Sequence, residues 1–76
     1  MIEQEVITML SQYIAIGFAR ATFKTRVEDL DDNEKFALAF QAGCEIEFDY
    51  ETHKYKTKYP VGFTWMGNHW KVTERK

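Results

Sequence analysis

The stretch CEIEFDYETHKYKTKY, residues 44–59, decides the fold because its side chains alternate with a period of two. Folding it about Glu51–Thr52 opposes three acidic residues to three lysines and leaves two apolar pairs on the other face: Glu45 with Lys58, Glu47 with Lys56, Asp49 with Lys54, Ile46 with Thr57, and Phe48 with Tyr55. A slip of one residue would lose every charge pair, so the pattern predicts an antiparallel hairpin in this register. Glu51–Thr52 is not a favoured two-residue turn, which allows a longer loop with the same register.

A second hairpin is predicted around Gly67–Asn68, a favoured turn pair. Folding there opposes four further pairs: Trp65 with Trp70, Phe63 with Val72, Thr64 with Lys71, and Met66 with His69. Pro60 lies between the hairpins and has no N–H for a ladder, so it marks a strand end, an edge or a bulge. Together these patterns predict a three-stranded antiparallel β-meander after Gly43.

Residues 2–24 have helical spacing and predict a first helix. Their apolar residues form two neighbouring stripes: Ile2, Val6, Met9, Tyr13, Ile16 and Phe23 in one, and Ile7, Leu10, Ile14, Phe18 and Ala21 in the other. The alternative is a strand over 14–27, because Ile14, Ile16 and Phe18 alternate, but the alanine-rich sequence there favours a helix. Gly17 and Ala21 lie one turn apart, and this pair of small residues predicts that another element packs closely against the helix.

A second helix is predicted over 32–42. Asp31 followed by Glu34 resembles a capping box, and Gly43 suits the position after a helix C-terminus. Phe36 and Phe40 lie one turn apart and are expected to face the core. The predicted fold is therefore α+β, a single domain over 1–76 with two N-terminal helices packed on the three-stranded antiparallel β-meander.

The composition excludes several classes of protein. A chain of 76 residues has room for one small core, and its single cysteine rules out a disulfide scaffold. The net charge of −2 hides an asymmetry, since residues 1–50 carry ten acidic and four basic side chains, a net of −6, and residues 51–76 carry a net of +4. Aromatic residues make up 16%, more than so short a chain readily buries. These features point to a function that resides in a surface.

No catalytic, cofactor-binding or metal-ligating residue is predicted, and the expected function is not enzymatic. The sequence lacks the motifs for phosphate, dinucleotide and zinc binding. Cys44 follows a helix C-terminus, which disfavours a thiolate. His53 and His69 lie at separate turns without the spacing of a metal-ligand pair. We therefore expect both to be solvent-exposed turn residues.

The expected partner surface is the basic, aromatic sheet half. Its predicted binding residues are Tyr55, Trp65, Trp70, Lys54, Lys56, Lys58 and Lys71. The first hypothesis is a small protein-binding module, of the kind common among phage-encoded inhibitors and modulators that occlude a host or defence protein. The alternative is an RNA- or single-stranded-DNA-binding protein, because lysines beside aromatic residues on a sheet are typical of nucleic-acid platforms. Cross-strand carboxylates neutralise most of those lysines and favour the first hypothesis.

Two further expectations concern compartment and assembly. The longest uncharged stretch, Val6–Ala19, is shorter than the roughly 20 residues that cross a membrane, so no membrane partner is predicted. The lone Cys44 favours a reducing cytoplasm. The first helix, at about 30 Å, is longer than strands of about 20 Å. Its surplus apolar length needs cover, either from a kink at Gly17 or from a second chain, and a homodimer through that helix is predicted.

Overall fold

The computed structural model describes residues 3–76, with side chains from Thr8 onward, and confirms the α+β class. Its elements are α1 (Glu3–Ala21), a short 3-10 helix (Val27–Asp29), α2 (Asp32–Gln41), β1 (Ile46–Asp49), β2 (Lys54–Thr57), β3 (Val61–Trp65) and β4 (Trp70–Glu74). The alternative of a strand over 14–27 is wrong, because that segment contains the end of α1 and the 3-10 helix. Helix α1 stops at Ala21, three residues before the predicted end, and Lys24 leaves the helix to pair with α2.

Only one of the two predicted stripes of α1 faces the protein interior. Ile14 and Ala21 are buried and Leu10 is half-buried, whereas Tyr13 and Ile16 of the other stripe are exposed. Three predicted stripe positions lie outside the described side chains: Ile2, Val6 and Ile7. The stripe that contains Met9, Tyr13 and Ile16 is surface, and so is Phe18 at the edge of the inward-facing stripe.

Gly17 is the point of closest approach between the helices. A Cβ atom added there would lie 2.6 Å from the carbonyl oxygen of Asn33 and 2.9 Å from the Cβ of Ala37. The side-chain amide of Asn33 donates a 2.9 Å hydrogen bond to the carbonyl of Tyr13. The predicted close packing at Gly17 is confirmed, and α2 is the element that packs there.

The capping box at the start of α2 is also confirmed. The Asp31 carboxylate accepts a 2.8 Å hydrogen bond from the Glu34 N–H, and the Glu34 carboxylate accepts one from the Asp31 N–H at 3.4 Å. Gly43 follows the helix with φ +84, as a residue beyond a C-terminus requires. Phe36 is buried as predicted, but Phe40 is 40% exposed and does not face the core.

Both hairpins have the predicted register. Strand β1 pairs with β2 from Ile46 opposite Thr57 to Asp49 opposite Lys54, and β3 pairs with β4 from Val61 opposite Glu74 to Trp65 opposite Trp70. The loop of the first hairpin is longer than two residues, as its sequence allowed. His53, at the end of that loop, has a φ of 57.

The predicted three-stranded antiparallel β-meander is wrong. The four strands form two separate two-stranded sheets, and β2 does not pair with β3. Residues 58 and 59 bend the chain between them. Pro60 has no N–H, and its carbonyl accepts a 2.8 Å hydrogen bond from Arg75 beside β4. The carbonyl of Pro60 therefore belongs to the ladder of the second hairpin.

Two small clusters attach the hairpins to the helices. The first contains Ile14, Phe36 and Ala37, with Leu10 and Ile46 packed against it. The second contains three buried residues with partly buried strand residues around them: Ala21, Leu30, Leu38, Phe63, Trp70 and Val72. Because each hairpin is held by a different cluster, a gap is left between β2 and β3.

Candidate binding groove

A groove of about 840 Å³ occupies the space between the helices, β2 and β3. Met9, Leu10 and Tyr13 line it from α1, and Lys35 and Phe36 line it from α2. The strands contribute residues from both hairpins: Phe48, the run 52–57, Val61 and Phe63. The volume falls in the range of small-molecule pockets, roughly 300–1,000 Å³.

Apolar and aromatic side chains line much of the groove, and several are accessible. Met9, Tyr13 and Tyr55 are 56%, 45% and 40% exposed. Tyr13 packs against Phe36 with ring centroids 6.1 Å apart, and Tyr55 packs against Phe48 edge-on at 5.2 Å. The rings hold one another in place while leaving apolar surface open to a ligand.

The charged residues that line the groove are three lysines and one aspartate: Lys35, Lys54, Lys56 and Asp32. Lys56 Nζ lies 3.7 Å from a carboxylate oxygen of Glu47 and 3.7 Å from one of Asp49, so Lys56 is shared between two partners. Lys35 and Lys54 also line the groove, and neither forms an ion pair within the described part of the chain. A ligand with carboxylates would find two unneutralised ammonium groups there.

Asp49 lies opposite Lys54 in the register but makes its contacts elsewhere. Its Oδ1 accepts hydrogen bonds from the N–H groups of Glu51 at 2.9 Å and Thr52 at 3.4 Å. These backbone donors, with a smaller effect of Lys56, lower the pKa of Asp49 below its usual value. The carboxylate therefore holds the hairpin loop and leaves Lys54 without its expected partner.

The two predicted tryptophans do not line this groove. Trp65 and Trp70 pack edge-on with ring centroids 5.4 Å apart, beside a small cavity of about 130 Å³. Trp70 Nε1 donates a 3.0 Å hydrogen bond to the carbonyl of Ala21 and packs on the second core cluster. Trp70 thus has a structural role in attaching the second hairpin to α1.

The remaining predicted binding residues are separated from one another. Lys58 Nζ lies 5.5 Å from the centroid of the Tyr59 ring, and Lys71 is exposed on β4, opposite Thr64. The structure therefore brings together Lys54, Tyr55 and Lys56, and places the other four predicted residues elsewhere. The groove residues of α1 and α2 were not among the predicted ones, although the spacing of Met9 and Tyr13 marked them as one stripe.

Cys44 and His69 each contact a neighbouring side chain, Glu74 and Asn68 respectively. Burial, followed by the charge of Glu74 and a hydrogen bond to it, raises the pKa of the Cys44 thiol and keeps it protonated near neutral pH. His69 Nδ1 lies 2.6 Å from Oδ1 of its neighbour Asn68. Among the described residues, no group of three or more histidine, cysteine, aspartate or glutamate side chains is placed to hold a metal ion.

Comparisons with protein families, with curated proteins and with solved structures found no match to this chain. No helix in residues 3–76 is long and apolar enough to cross a membrane.

Proposed function

We propose that this chain is a non-enzymatic protein-binding module whose binding site is the groove between the helices and β2. It acts by occluding the surface of a partner protein, as small phage-encoded inhibitors do. The observation that carries the proposal is the convergence of exposed Met9, Tyr13 and Tyr55 on one groove. Methionine and aromatic residues are enriched where proteins bind one another, and accessible clusters of them mark interaction sites.

The openness of the groove favours a protein over a small molecule. A small-molecule site encloses most of its ligand and orients it with a few convergent polar groups. Here the accessible wall residues Met9 and Tyr13 keep about half of their surface in solvent, which suits the side chains of a macromolecular partner. Three of the four charged groups in the lining are lysines, and these suit steering and orientation of a charged partner.

The test compares two exposed methionines, one inside the groove and one outside. Met9 is 56% exposed in the groove, and Met66 is 50% exposed at the turn after β3. Tagged wild-type, Met9→Asp and Met66→Asp proteins are used to capture partners from native lysate, with and without nuclease, for mass spectrometry. We expect the wild type and Met66→Asp to retain the same nuclease-resistant partner and Met9→Asp to lose it. A partner held equally by Met9→Asp would overturn the proposal.

Single-stranded nucleic acid is the alternative ligand, and the position of Lys54 and Lys56 on either side of Tyr55 supports it. Two observations favour protein binding instead. Lys56 is already shared between two carboxylates, and the tryptophans that would stack bases lie away from these lysines. Loss of the captured material on nuclease treatment would favour the alternative.

We also propose that the chain self-associates through α1. Ile16 on that helix is 56% exposed, and burying it against a second copy would remove apolar surface from water. Light scattering at micromolar concentration tests this directly: a dimer that Ile16→Glu converts to a monomer is expected, and a monomeric wild type would contradict it. The lone Cys44 supports a reducing cytoplasm as the compartment.

A further inference from the structure

We propose that the groove takes an extended, acidic segment of the partner protein, which adds as a strand to the free edge of β2. The inference rests on the proposed protein-binding function and specifies its ligand. It starts from the wall that β2 presents. All four residues of β2, Lys54–Thr57, line the groove, together with Thr52 and His53 of the loop before it. Side chains of a strand alternate between its two faces, so a wall of consecutive residues is the edge of the strand.

The hydrogen-bond pattern identifies which backbone groups that edge presents. Lys58 donates a 2.9 Å hydrogen bond from its N–H to the carbonyl of Glu45. In an antiparallel pair, every second residue bonds to the partner strand, so Lys56 and Lys54 also point their N–H and C=O groups at β1. Tyr55 and Thr57 point theirs the opposite way. Within the described residues, β2 pairs with β1 alone, which leaves these groups available to another strand.

Strand β3, on the opposite wall of the groove, also points every second residue's backbone groups away from its partner strand. Arg75 donates its N–H to the carbonyl of Pro60, so the alternation directs the backbone groups of Val61 and Phe63 away from β4. These are the two residues of β3 that line the groove. The bend before Pro60 keeps β2 and β3 from pairing with each other. An exposed strand edge of this kind is a template for an added strand.

Charge complementarity defines the chemistry of the added strand. Lys54 and Lys35 line the groove without an ion pair in the described part of the chain. Lys56 is already shared between two carboxylates, and Asp32 contributes one carboxylate to the lining, so the two unpaired ammonium groups are the ones that attract an acidic segment. Tyr13 and Phe48 offer apolar contacts in the same groove. The ligand that fits both features alternates apolar residues with glutamate or aspartate, because alternation separates the two kinds of side chain onto opposite faces.

Substitutions at Thr57 test the backbone pairing. Thr57→Pro removes the outward N–H without touching a ladder bond to β1, and Thr57→Val keeps the N–H in a side chain of similar shape. The probe is a capped eight-residue peptide of alternating valine and glutamate, titrated by fluorescence polarisation. We expect Thr57→Pro to weaken binding at least about ten-fold, because it removes one hydrogen bond and leaves a carbonyl of the bound peptide unpaired. Thr57→Val should bind within about two-fold of the wild type.

Two controls keep the test decisive. If Thr57→Pro does not fold by circular dichroism, a peptide with all amides N-methylated replaces it as the probe of backbone pairing and is expected not to bind the wild type. Lys54→Glu is expected to weaken binding about ten-fold, while Lys71→Glu, the same charge change outside the groove, leaves it within about two-fold.

The outcomes separate this inference from the function on which it rests. Failure of the valine–glutamate peptide to bind, or equal binding by its N-methylated form, overturns strand addition. In that case the capture experiment still stands, and a partner lost by Met9→Asp alone would show that the groove binds protein in another conformation, such as a helix. Absence of any groove-dependent partner overturns the proposed function itself.

Discussion

The Glu34 carboxylate is fully buried and accepts a 2.5 Å hydrogen bond from Lys24 Nζ, which is itself only partly exposed. Lys24 follows α1, and Glu34 lies in the first turn of α2, so this ion pair joins the two helices across their connection. The same carboxylate oxygen also accepts the Asp31 N–H of the capping box. The other oxygen, Oε2, is buried and has no hydrogen-bond partner in the described residues. Glu34 therefore depends on Lys24 for compensation of its charge.

Lys24→Met tests that dependence. The substitution keeps an unbranched apolar chain but leaves a buried carboxylate without its cation, and removing one partner of a buried pair costs about 3–5 kcal/mol. We expect a loss of this size in the free energy of unfolding measured with denaturant. Lys71→Met, at an exposed site on β4, is the control and should change stability by less than about 0.5 kcal/mol. Equal midpoints for the two variants would contradict the role of the ion pair.

Features encoded by neighbouring residues could be predicted from the sequence. The hairpin registers follow from charge and apolar alternation over a few residues, and the capping box follows from Asp31 and Glu34. Both depend on contacts between residues close in the chain. The burial of Glu34 and its pairing with Lys24 required the packing of two helices, which local periodicity does not specify.

The groove was missed for a related reason. Whether β2 and β3 pair depends on how the chain bends at residues 58 and 59, and the sequence marks Pro60 only as a point of interruption. The two apolar stripes of α1 are equivalent in pattern, so exposure of Met9 and Tyr13 could not be separated from burial of Ile14. Lys54, Tyr55 and Lys56 were predicted with the other lysines and aromatic residues of the sheet half, and they line the same groove because they are consecutive in one strand.

Gly17→Ala should destabilise the protein although alanine favours a helix. The gain in helix propensity is about 1 kcal/mol, but the new methyl group would lie within 3 Å of Asn33 and Ala37 and would push the helices apart. Overpacking of this kind costs about 1–3 kcal/mol. Thermal denaturation should therefore show a lower midpoint. Ala15→Gly at an exposed position of α1 isolates the propensity effect, and a stabilised Gly17→Ala variant would show that the helices do not approach closely there.

The Asp31 cap should make stability depend on pH. The Glu34 N–H donates to its carboxylate and lowers the pKa of Asp31 in the folded state. A lowered folded pKa means that the cap contributes stability above the unfolded pKa and loses it as the pH falls through the folded pKa. We expect Asp31→Ala to be less stable than the wild type at neutral pH, with the difference shrinking below about pH 4. The stability of both proteins is measured from denaturant midpoints between neutral pH and pH 2. A difference in stability that stays constant over this range would contradict the prediction.

Substitution of Trp70 should lower the stability of the protein, whereas substitution of Tyr55 should weaken binding of the partner. Trp70→Phe removes the hydrogen bond to the Ala21 carbonyl and reduces packing on the second cluster, so we expect a loss of about 1–3 kcal/mol in unfolding free energy. Tyr55→Ala removes a 40% exposed ring from the groove and should weaken partner capture with a smaller effect on folding. Denaturation and capture are measured on both variants. If Trp70→Phe loses the partner and Tyr55→Ala retains it, the binding surface lies at the tryptophans instead.

Salt dependence, measured on the wild type and on the triple variant Lys54→Glu, Lys56→Glu, Lys58→Glu, distinguishes a protein from a nucleic-acid ligand. Binding of single-stranded nucleic acid would be lost in this variant and would weaken steeply in the wild type as salt rises, because phosphate contacts release counterions. An acidic protein strand would also lose affinity, but its apolar and backbone contacts should make the salt dependence shallower. We therefore expect the wild type to show no measurable affinity for a fluorescent poly-dT oligonucleotide at about physiological salt, in the same titration format as the peptide. Tight, salt-sensitive oligonucleotide binding that the triple variant abolishes would favour the nucleic-acid alternative over the proposed function.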